Sequence, residues 1–582
     1  MSRCTFLLPA SIGLVLAICS ATCGLPAEAP KSASAFSAFV DEYFDAYFTF
    51  KPSEGTGAGL HHYDNALEDR SAGAVAGRIA ELKKLLQQLS RIRNGRLTPD
   101  EQIDAEVLAG ALHGELLDLE TLQNWRKNPM PYVSTPAAAI DVLMKRDFAP
   151  APARLRSVIA RLKAAPAMFT SMRVNVENPP HEFTDLSIRM AEGSIGFFRD
   201  TVRAWAREAA GKNTPLFEAF EAANAPVIKS LTESVEWLKK DLLPRSKGNY
   251  AIGASNFADQ LRYEELVEIP LDKLLAIGEA NLRRDQEHFV ATAKKINPNK
   301  KPVEVMRDLA NDHPTESDLI PSARRTIDKI RQFIVDHHIV TIPSPVLPLV
   351  EETPPYARNG SYASMETPGP YETKATEAFY YVTPPEKNWS AKEKEELLRL
   401  FNAPVMQIVT VHEAFPGHYI QFLYAKQFPT KTRKISTCGT NVEGWAHYCE
   451  QMMVEEGYGD GDPKIQLAQL SEALLRDCRF VVGIKLHTRG MTVEDGGKFF
   501  ETEGFQEPST GYEEARRGAY NPTYLYYTLG KLQIYKLRED YRKAKGKDFR
   551  LEAFHNDFVR QGGIPIKLIR KILLPGDNGP TL

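Results

Sequence analysis

Apolar residues recur every three or four positions through most of residues 32–340, a spacing typical of amphipathic helices. The stretches AGAVAGRIAELKKLLQQLSRI and LDKLLAIGEANLRRDQEHFVATAKKI both show it. Proline lies just inside two of the predicted helix starts, in LTPDEQ and EIPLDK, where its missing amide hydrogen costs little. The pattern predicts a helical scaffold over residues 32–340.

The pattern changes near position 340. Residues 341–390 are rich in Pro, Gly, Thr and Tyr, and the short run EAFYYV predicts a strand in a small β element. Its composition suggests an edge strand that pairs with an extended peptide backbone. Helical spacing returns after Ser390, a predicted N-cap, and continues to about Ile572. We therefore expect a mainly α protein in which residues 341–582 continue from the scaffold as one multi-lobed unit.

The first residues differ from the rest of the chain. One Arg is followed by an apolar run from Phe6 to Ile18 and then by small residues, the layout of a signal peptide over residues 1–25. The apolar run is shorter than the ~20 residues that a spanning helix needs. Cys19 and Cys23 lie near the cleavage zone, but neither context matches a lipoprotein cleavage motif well. We expect export to the periplasm or the exterior, with no transmembrane domain after signal removal; an N-terminal membrane anchor and a lipid anchor are the alternatives.

Composition narrows the function classes. The 582 residues are 43% hydrophobic and 25% charged with a net charge of -3, ordinary values for a globular protein. Nothing in this balance indicates a nucleic acid or an anionic membrane as partner. The three cysteines after the signal region, Cys438, Cys449 and Cys478, are an odd number and give no disulfide framework. Buried free thiols are favoured over a Cys438–Cys449 bridge.

The most informative motif is His412-Glu413-Ala414-Phe415-Pro416-Gly417-His418, which follows the apolar run APVMQIVTV. Zinc proteases commonly place two His at i and i+4 on one helix face, whereas here the spacing is i and i+6. Six residues of regular helix leave the two side chains roughly 120° apart. Proline and glycine between them offer a way to break or bulge the helix so that His418 turns back toward His412. Glu413 would then be the general base that acts on metal-activated water.

A second motif follows in NVEGWAHYCE. Glu443, His447 and Glu450 are spaced i, i+4 and i+7 and so share one face of a predicted helix. A catalytic zinc site needs a third protein ligand and an open fourth position. Glu443 is the preferred third ligand and His447 the alternative, with Glu450 orienting a ligand His through its other nitrogen. The small residues Gly444 and Ala446 predict that this helix packs closely.

These segments resemble a bacterial family known as domain of unknown function 885. HEAFPGHYIQ and EGWAHYCE are similar to its paired HExxPGH and EGWA signatures. PSEGT, GLHHYD and YTLGKL are similar to weaker flanking patterns, so the resemblance covers nearly the whole mature chain. It implies a mostly helical, zincin-like metallohydrolase fold with a cleft over the metal, and it places Glu443 rather than His447 at the ligand position. The family usually has an Asp shortly before His487, and this chain does not.

Two further residues are candidates for donors to an oxyanion, which peptide hydrolysis requires. Tyr527 lies in the YTLGKL segment, and His487 lies near a predicted helix end before Gly490. Core packing is the competing interpretation for Tyr527, and helix capping is that for His487.

The sequence thus predicts an exported zinc-dependent hydrolase with Zn²⁺ as cofactor and favours a peptidase acting on a peptide or small amide substrate. The ligand types favour zinc over manganese or cobalt. One alternative is a zinc hydrolase of a non-peptide amide or ester. Another is a non-catalytic helical binding protein with a structural metal site, although such a site has no use for Glu413. Periodicity indicates neither the oligomeric state nor endo- versus exopeptidase action.

Overall fold

A computed structural model describes residues 34–354, 357, 358, 362–577 and 579–582. Helices dominate it, so the predicted mainly α class is confirmed. The predicted signal peptide lies outside the described residues. The first region contains α1 (Ala35–Phe50), α2 (Pro52–Gly57), α3 (Ala72–Arg93), α4 (Pro99–Leu116), α5 (Asn124–Lys127), α6 (Met130–Met144), α7 (Ala151–Asn175), α8 (His181–Gly196), α9 (Arg203–Ala210), α10 (Thr214–Trp237), α11 (Leu243–Arg245), α12 (Ala254–Glu264), α13 (Leu271–Ile296), α14 (Pro302–Leu309) and α15 (Leu319–Asp336).

The second region begins with a small sheet and returns to helices. These are α16 (Ala391–Leu400), α17 (Ala403–Glu413), α18 (His418–Leu423), α19 (Lys431–Ile435), α20 (Gly439–Glu455), α21 (Pro463–Thr488), α22 (Val493–Glu503), α23 (Pro508–Tyr520), α24 (Tyr526–Lys545), α25 (Leu551–Val559) and α26 (Ile566–Leu573). Ser390 caps α16 as predicted, because its hydroxyl accepts the Glu393 amide hydrogen and the Glu393 carboxylate reaches back.

Short 3₁₀ and π segments extend or link these helices. Three π-helical segments continue α4, α8 and α10, namely Leu117–Leu122, Phe197–Val202 and Leu238–Leu242. The 3₁₀ turns whose bounds lie within the described residues are His61–Tyr63, Glu316–Asp318, Ala425–Gln427 and Gly546–Asp548.

The sheet has three short strands, β1 (Leu349–Glu352), β2 (Ala363–Glu366) and β3 (Phe379–Val382), in the order β1-β3-β2. β3 pairs parallel to β1 and antiparallel to β2. The strand predicted from EAFYYV is therefore present as β3, but its expected edge position is wrong. All four β3 residues are buried. Their run has no polar alternation, which suits the centre of a sheet.

The hydrophobic core crosses the predicted boundary at position 340. One cluster joins α15 and the sheet to α17, α20 and the C-terminal helices, and it includes residues of α4. Trp445 is fully buried in this cluster and stacks on Phe558. A second cluster holds α6 to α10 together, and a third packs α13 against α21. Residues before and after position 340 therefore share cores, and the β element lies beside α17.

Two predictions about covalent and membrane features can be compared with the described residues. Cys438, Cys449 and Cys478 are buried free thiols, as expected. Within the same part of the chain, no helix has both the length and the apolar character to cross a membrane.

Candidate metal centre and its cleft

A break between α17 and α18 determines where His418 points. α17 ends at Glu413, and α18 begins at His418 after the segment that contains Pro416 and Gly417. A Cβ on Gly417 would lie 1.8 Å from the carbonyl oxygen of His412, so only glycine fits this approach. The Nε1–H of Trp445 donates to the Pro416 carbonyl at 2.9 Å and ties the break to α20. The predicted interruption of the helix is confirmed.

This break brings three potential ligand atoms together. The Nε2 atoms of His412 and His418 each lie 3.4 Å from the same carboxylate oxygen of Glu443. The ligand atoms of all three residues lie within 4.8 Å of one another. Ligands at zinc distances of about 2.0–2.1 Å in a tetrahedron are about 3.3–3.4 Å apart. The donor types fit a zinc ion, and both nitrogen–oxygen distances match this spacing.

Close contact between two helices positions Glu443. α20 crosses α24 with Gly444 directly on Gly530, and a Cβ on Gly444 would lie 2.5 Å from the Gly530 Cα. A Cβ on Gly530 would lie 1.9 Å from the carbonyl oxygen of Thr440. The predicted close approach of this helix is confirmed, and it brings the first turn of α24 next to the Glu443 carboxylate.

His412, His418 and Glu443 form what is called the cluster below. Glu450 lies behind this cluster and is fully buried. One of its oxygens is 2.6 Å from Nδ1 of His412, and the other is 3.1 Å from Nδ1 of His447. Such a contact fixes the imidazole so that Nε2 faces the cluster. His447 is not brought into the ligand set, because its ring is turned toward Glu450 and does not line the cleft. The guanidinium of Arg476 lies 3.5 Å from Glu450. Burial raises the pKa of the Glu450 carboxyl, but Arg476 and the two contacting histidines hold it well below its usual range.

The pKa values of His412 and Glu443 depend on the charges of their neighbours. Burial lowers the pKa of His412, but its contacts with Glu443 and Glu450 outweigh burial and raise that pKa to about 9. Burial raises the pKa of Glu443, yet the neighbouring histidines hold it well below the ordinary value. The Glu443 side chain is 26% exposed, so it opens toward the cleft rather than into the core.

Glu413 lines the same cleft and is not part of the ligand set. Its Oε2 is buried and has no hydrogen-bond partner among the described residues. Burial raises the pKa of this carboxyl above its ordinary value, against the opposing effect of the two histidines. Leaving a buried carboxylate oxygen without a hydrogen-bond partner carries a desolvation cost.

Tyr527 reaches the cluster from α24. Its ring centre lies 6.2 Å from that of His412, with 24° between the planes. Its hydroxyl accepts a hydrogen bond from Arg517 at 3.0 Å, which leaves its own proton available to another acceptor. Burial raises the pKa of this phenol, so the proton is retained at neutral pH.

His487 does not reach the cleft, and the predicted catalytic role for it does not fit the structure. Its Nε2 is 2.8 Å from the Gly518 carbonyl, and its ring packs against Tyr250 and Phe257. Burial lowers its pKa to about 4, which keeps the imidazole neutral. His487 lies about three helical turns beyond Arg476 on α21, and this distance places its ring away from the cleft. His487 therefore packs between helices.

The cleft has a volume of about 270 Å³ and is bounded on one side by β2. The cleft is also lined by three guanidinium groups that sequence reasoning missed, those of Arg476, Arg479 and Arg517. The sequence did contain a sign of two of them. The segment RDCRFVV places Arg476 and Arg479 within an otherwise apolar, buried stretch of α21. Such charges are rarely buried without partners, and that rule could have indicated a site.

Two solved structures are similar over most of the chain. A protein from Shewanella oneidensis, described as a candidate lipoprotein of unknown function, is 27% identical, with a TM-score of 0.75. A candidate lipoprotein from Colwellia psychrerythraea is 18% identical, with a TM-score of 0.78, and shows the shared fold alone. Each alignment covers 93% of this chain and 99% of the other. No curated protein matches the chain.

The family comparison agrees with the signatures around the cluster. The model of a family described as bacterial proteins of unknown function, DUF885, matches residues 52–573. This span includes both helices of the broken motif, α20 and the whole cleft. The chain therefore belongs to the DUF885 family.

Proposed function

We propose that this protein is an exported, zinc-dependent hydrolase with a zincin-like active site, and that it cleaves peptide bonds. One observation carries the proposal: two imidazole nitrogens lie 3.4 Å from one carboxylate oxygen, beside an unpartnered glutamate in an open cleft. His412, His418 and Glu443 would hold the ion and leave a fourth position for water or substrate.

The chemistry follows from the residues around that position. A zinc ion would supply a Lewis acid that polarises the scissile carbonyl and makes water acidic. Glu413 takes the proton of the attacking water as a C–O bond forms, and it passes this proton to the leaving nitrogen as the C–N bond breaks. Tyr527, whose hydroxyl is held by Arg517, donates a hydrogen bond to the oxygen that becomes negative.

The two alternatives receive less support. A structural metal site is normally closed by four protein ligands, whereas the described residues offer three. It also leaves the buried Glu413 carboxylate without a purpose. Hydrolysis of a non-peptide amide or ester uses the same residues, so it is separated from peptidase action by the substrates tested.

Export is supported by the leader-like N-terminus and by the description of the Shewanella oneidensis neighbour, 27% identical, as a candidate lipoprotein. This description favours a lipid anchor more than the residues around Cys19 and Cys23 do on their own. Labelling of intact cells with a lipid precursor tests the anchor. Incorporation that is lost when both cysteines are replaced by serine supports anchoring, and the absence of incorporation supports a released protein.

The catalytic proposal is tested with zinc-loaded protein and a panel of peptides, simple esters and acyl amides. Glu413→Gln should lower kcat by about 10²–10⁴-fold, the usual contribution of a positioned base, while zinc content stays unchanged. The matched control is Glu501→Gln, an exposed carboxylate on α22, which should behave as wild type. A fully active Glu413→Gln protein would contradict the proposal, and turnover confined to esters or acyl amides would contradict the peptidase assignment.

A further inference from the structure

The three guanidinium groups in the cleft differ in how they are neutralised. Arg479 donates through Nε and Nη2 to the two oxygens of Glu514, both at 2.7 Å, so its paired donors are occupied. Arg476 contacts Glu472 and Glu450. These two arginines are balanced by carboxylates of the protein itself.

Arg517 is different. It is half-buried on α23 and lines the cleft, and it donates to the hydroxyl of Tyr527. Among the described residues no carboxylate lies within 4.0 Å of its nitrogen atoms. The nearby Glu514 is already engaged by Arg479 in a two-point contact. A guanidinium has five donors and stays charged, so Arg517 presents to the cleft a cation that is not in an ion pair and has unused donors.

The place of Arg517 relative to the cluster limits what it can bind. Tyr527 links the two regions, because its hydroxyl accepts from Arg517 at 3.0 Å and its ring centre lies 6.2 Å from that of His412. One extended residue covers about 3.5 Å, and a charged hydrogen bond adds about 2.8 Å. Arg517 and the ligand residues line the same cleft, so a substrate whose amide bond lies at the ligand residues extends its next carboxylate along the cleft that Arg517 also lines. A peptide has one such anion in every sequence, which is its C-terminal carboxylate.

We propose that Arg517 binds the C-terminal carboxylate of the substrate, so that the protein cleaves the amide bond one residue before a free C-terminus. This inference rests on the proposed hydrolase function and adds a substrate class to it, that of a carboxypeptidase. The side-chain carboxylate of an acidic residue has the same chemistry, and the experiment separates these two sources.

The test measures binding apart from turnover. Zinc-loaded Glu413→Gln protein is titrated calorimetrically with N-benzoyl-glycyl-phenylalanine, with its C-terminal amide, and with N-benzoyl-glycyl-glutamic acid amide. The free acid should bind about ten- to a hundredfold more tightly than either amide, the range for a hydrogen bond to a charged group. Adding Arg517→Gln should remove this preference. Arg516→Gln, the adjacent residue paired with Asp185 and Glu513, should retain it.

Another variant separates direct binding from positioning of Tyr527. If Arg517 acts directly, the acid preference persists in Tyr527→Phe and disappears only with Arg517→Gln. The inference is overturned if acid and amide bind equally, if the preference survives Arg517→Gln, if it is lost in Tyr527→Phe, or if the free acid does not bind at millimolar concentration. Equal binding of the glutamic acid amide and the free acid overturns it in favour of side-chain recognition.

Turnover by the protein with Glu413 intact then distinguishes the two levels of the account. Hydrolysis of acid and amide at equal kcat/KM overturns the carboxylate inference while supporting the hydrolase. Selective binding of the acid without hydrolysis of any substrate contradicts the hydrolase while the carboxylate site stands.

Discussion

The two walls of the cleft differ in how the chain builds them. The ligand wall comes from α17, α18 and α20 and carries His412, His418, Glu443 and Glu413. The arginine wall comes from α21 and α23 and carries Arg476, Arg479 and Arg517. The residues of the ligand wall lie close together in the sequence. The break between α17 and α18 and the crossing of α20 with α24 bring their side chains together. The arginine wall is assembled by helix packing. Carboxylates on other turns and helices pair with Arg476 and Arg479, whereas Arg517 has no such ion pair among the described residues. A candidate set of metal ligands can therefore be predicted from a motif, whereas the grouping of the arginines depends on the folded arrangement.

Removing the shared carboxylate of the ligand wall should have the largest effect. Glu443→Ala deletes the oxygen that both histidines approach, so a protein that binds about one zinc per chain should lose most of it and all measurable hydrolysis. Elemental analysis after dialysis measures this loss. Glu472→Ala removes another cleft carboxylate and should retain zinc. Equal zinc content in the Glu443→Ala and wild-type proteins would show that the ligand wall is not a metal centre.

Tyr527 contacts both walls and tests whether they act together. Tyr527→Phe removes the hydroxyl that Arg517 holds near the cluster, and kcat should fall about 10²–10³-fold with zinc unchanged, as for other oxyanion donors. Tyr526→Phe is the control, because the Tyr526 hydroxyl accepts from Asn521 and does not line the cleft. Unchanged kcat in Tyr527→Phe would reduce this residue to a packing role.

Glu450 supports the ligand wall from behind. Glu450→Gln weakens the contact that orients His412, so the zinc Kd should rise about 10–100-fold. A competition titration with a chelator measures the change, with unfolding temperature recorded alongside. Glu455→Gln alters an exposed glutamate of the same helix and should leave Kd as it is. An unchanged Kd in Glu450→Gln would mean that His412 needs no support.

The smallest expected effect is that of a single methyl group at the helix break. Gly417→Ala forces a Cβ against the His412 carbonyl and should lower the free energy of unfolding by about 1–3 kcal/mol while weakening zinc binding. Gly77→Ala, at an exposed and open position of α3, should instead stabilise by up to about 1 kcal/mol. Urea unfolding compares the two. A Gly417→Ala protein that matches wild type in stability and zinc affinity would contradict the argument about the break.

The sequence predicted most of the ligand wall because its determinants are short-range. Proline and glycine between His412 and His418 favour a helix break through their own backbone chemistry, and three residues spaced i, i+4 and i+7 share a face in any helix. Choosing Glu443 over His447 was harder, since both lie on that face. The fold separates them by turning His447 toward Glu450.

The remaining features depend on contacts between distant segments. His487 carried a plausible chemical signal, but only the fold shows its ring against Tyr250 and the Gly518 carbonyl. The central position of β3 depends on pairing with two strands whose sequences are less distinctive. Arg517 lies far along the chain from the motif. Among the described residues it has no carboxylate partner, and Glu514 is engaged by Arg479 instead.

The central claim is a zinc site formed by His412, His418 and Glu443, and anomalous diffraction at the zinc edge tests it most directly. Crystals of the zinc-reconstituted protein should give one strong peak at bonding distance from both Nε2 atoms and a Glu443 oxygen, with Glu413 nearby and not coordinated. The absence of a peak there, or a peak confined to other residues, would contradict the account.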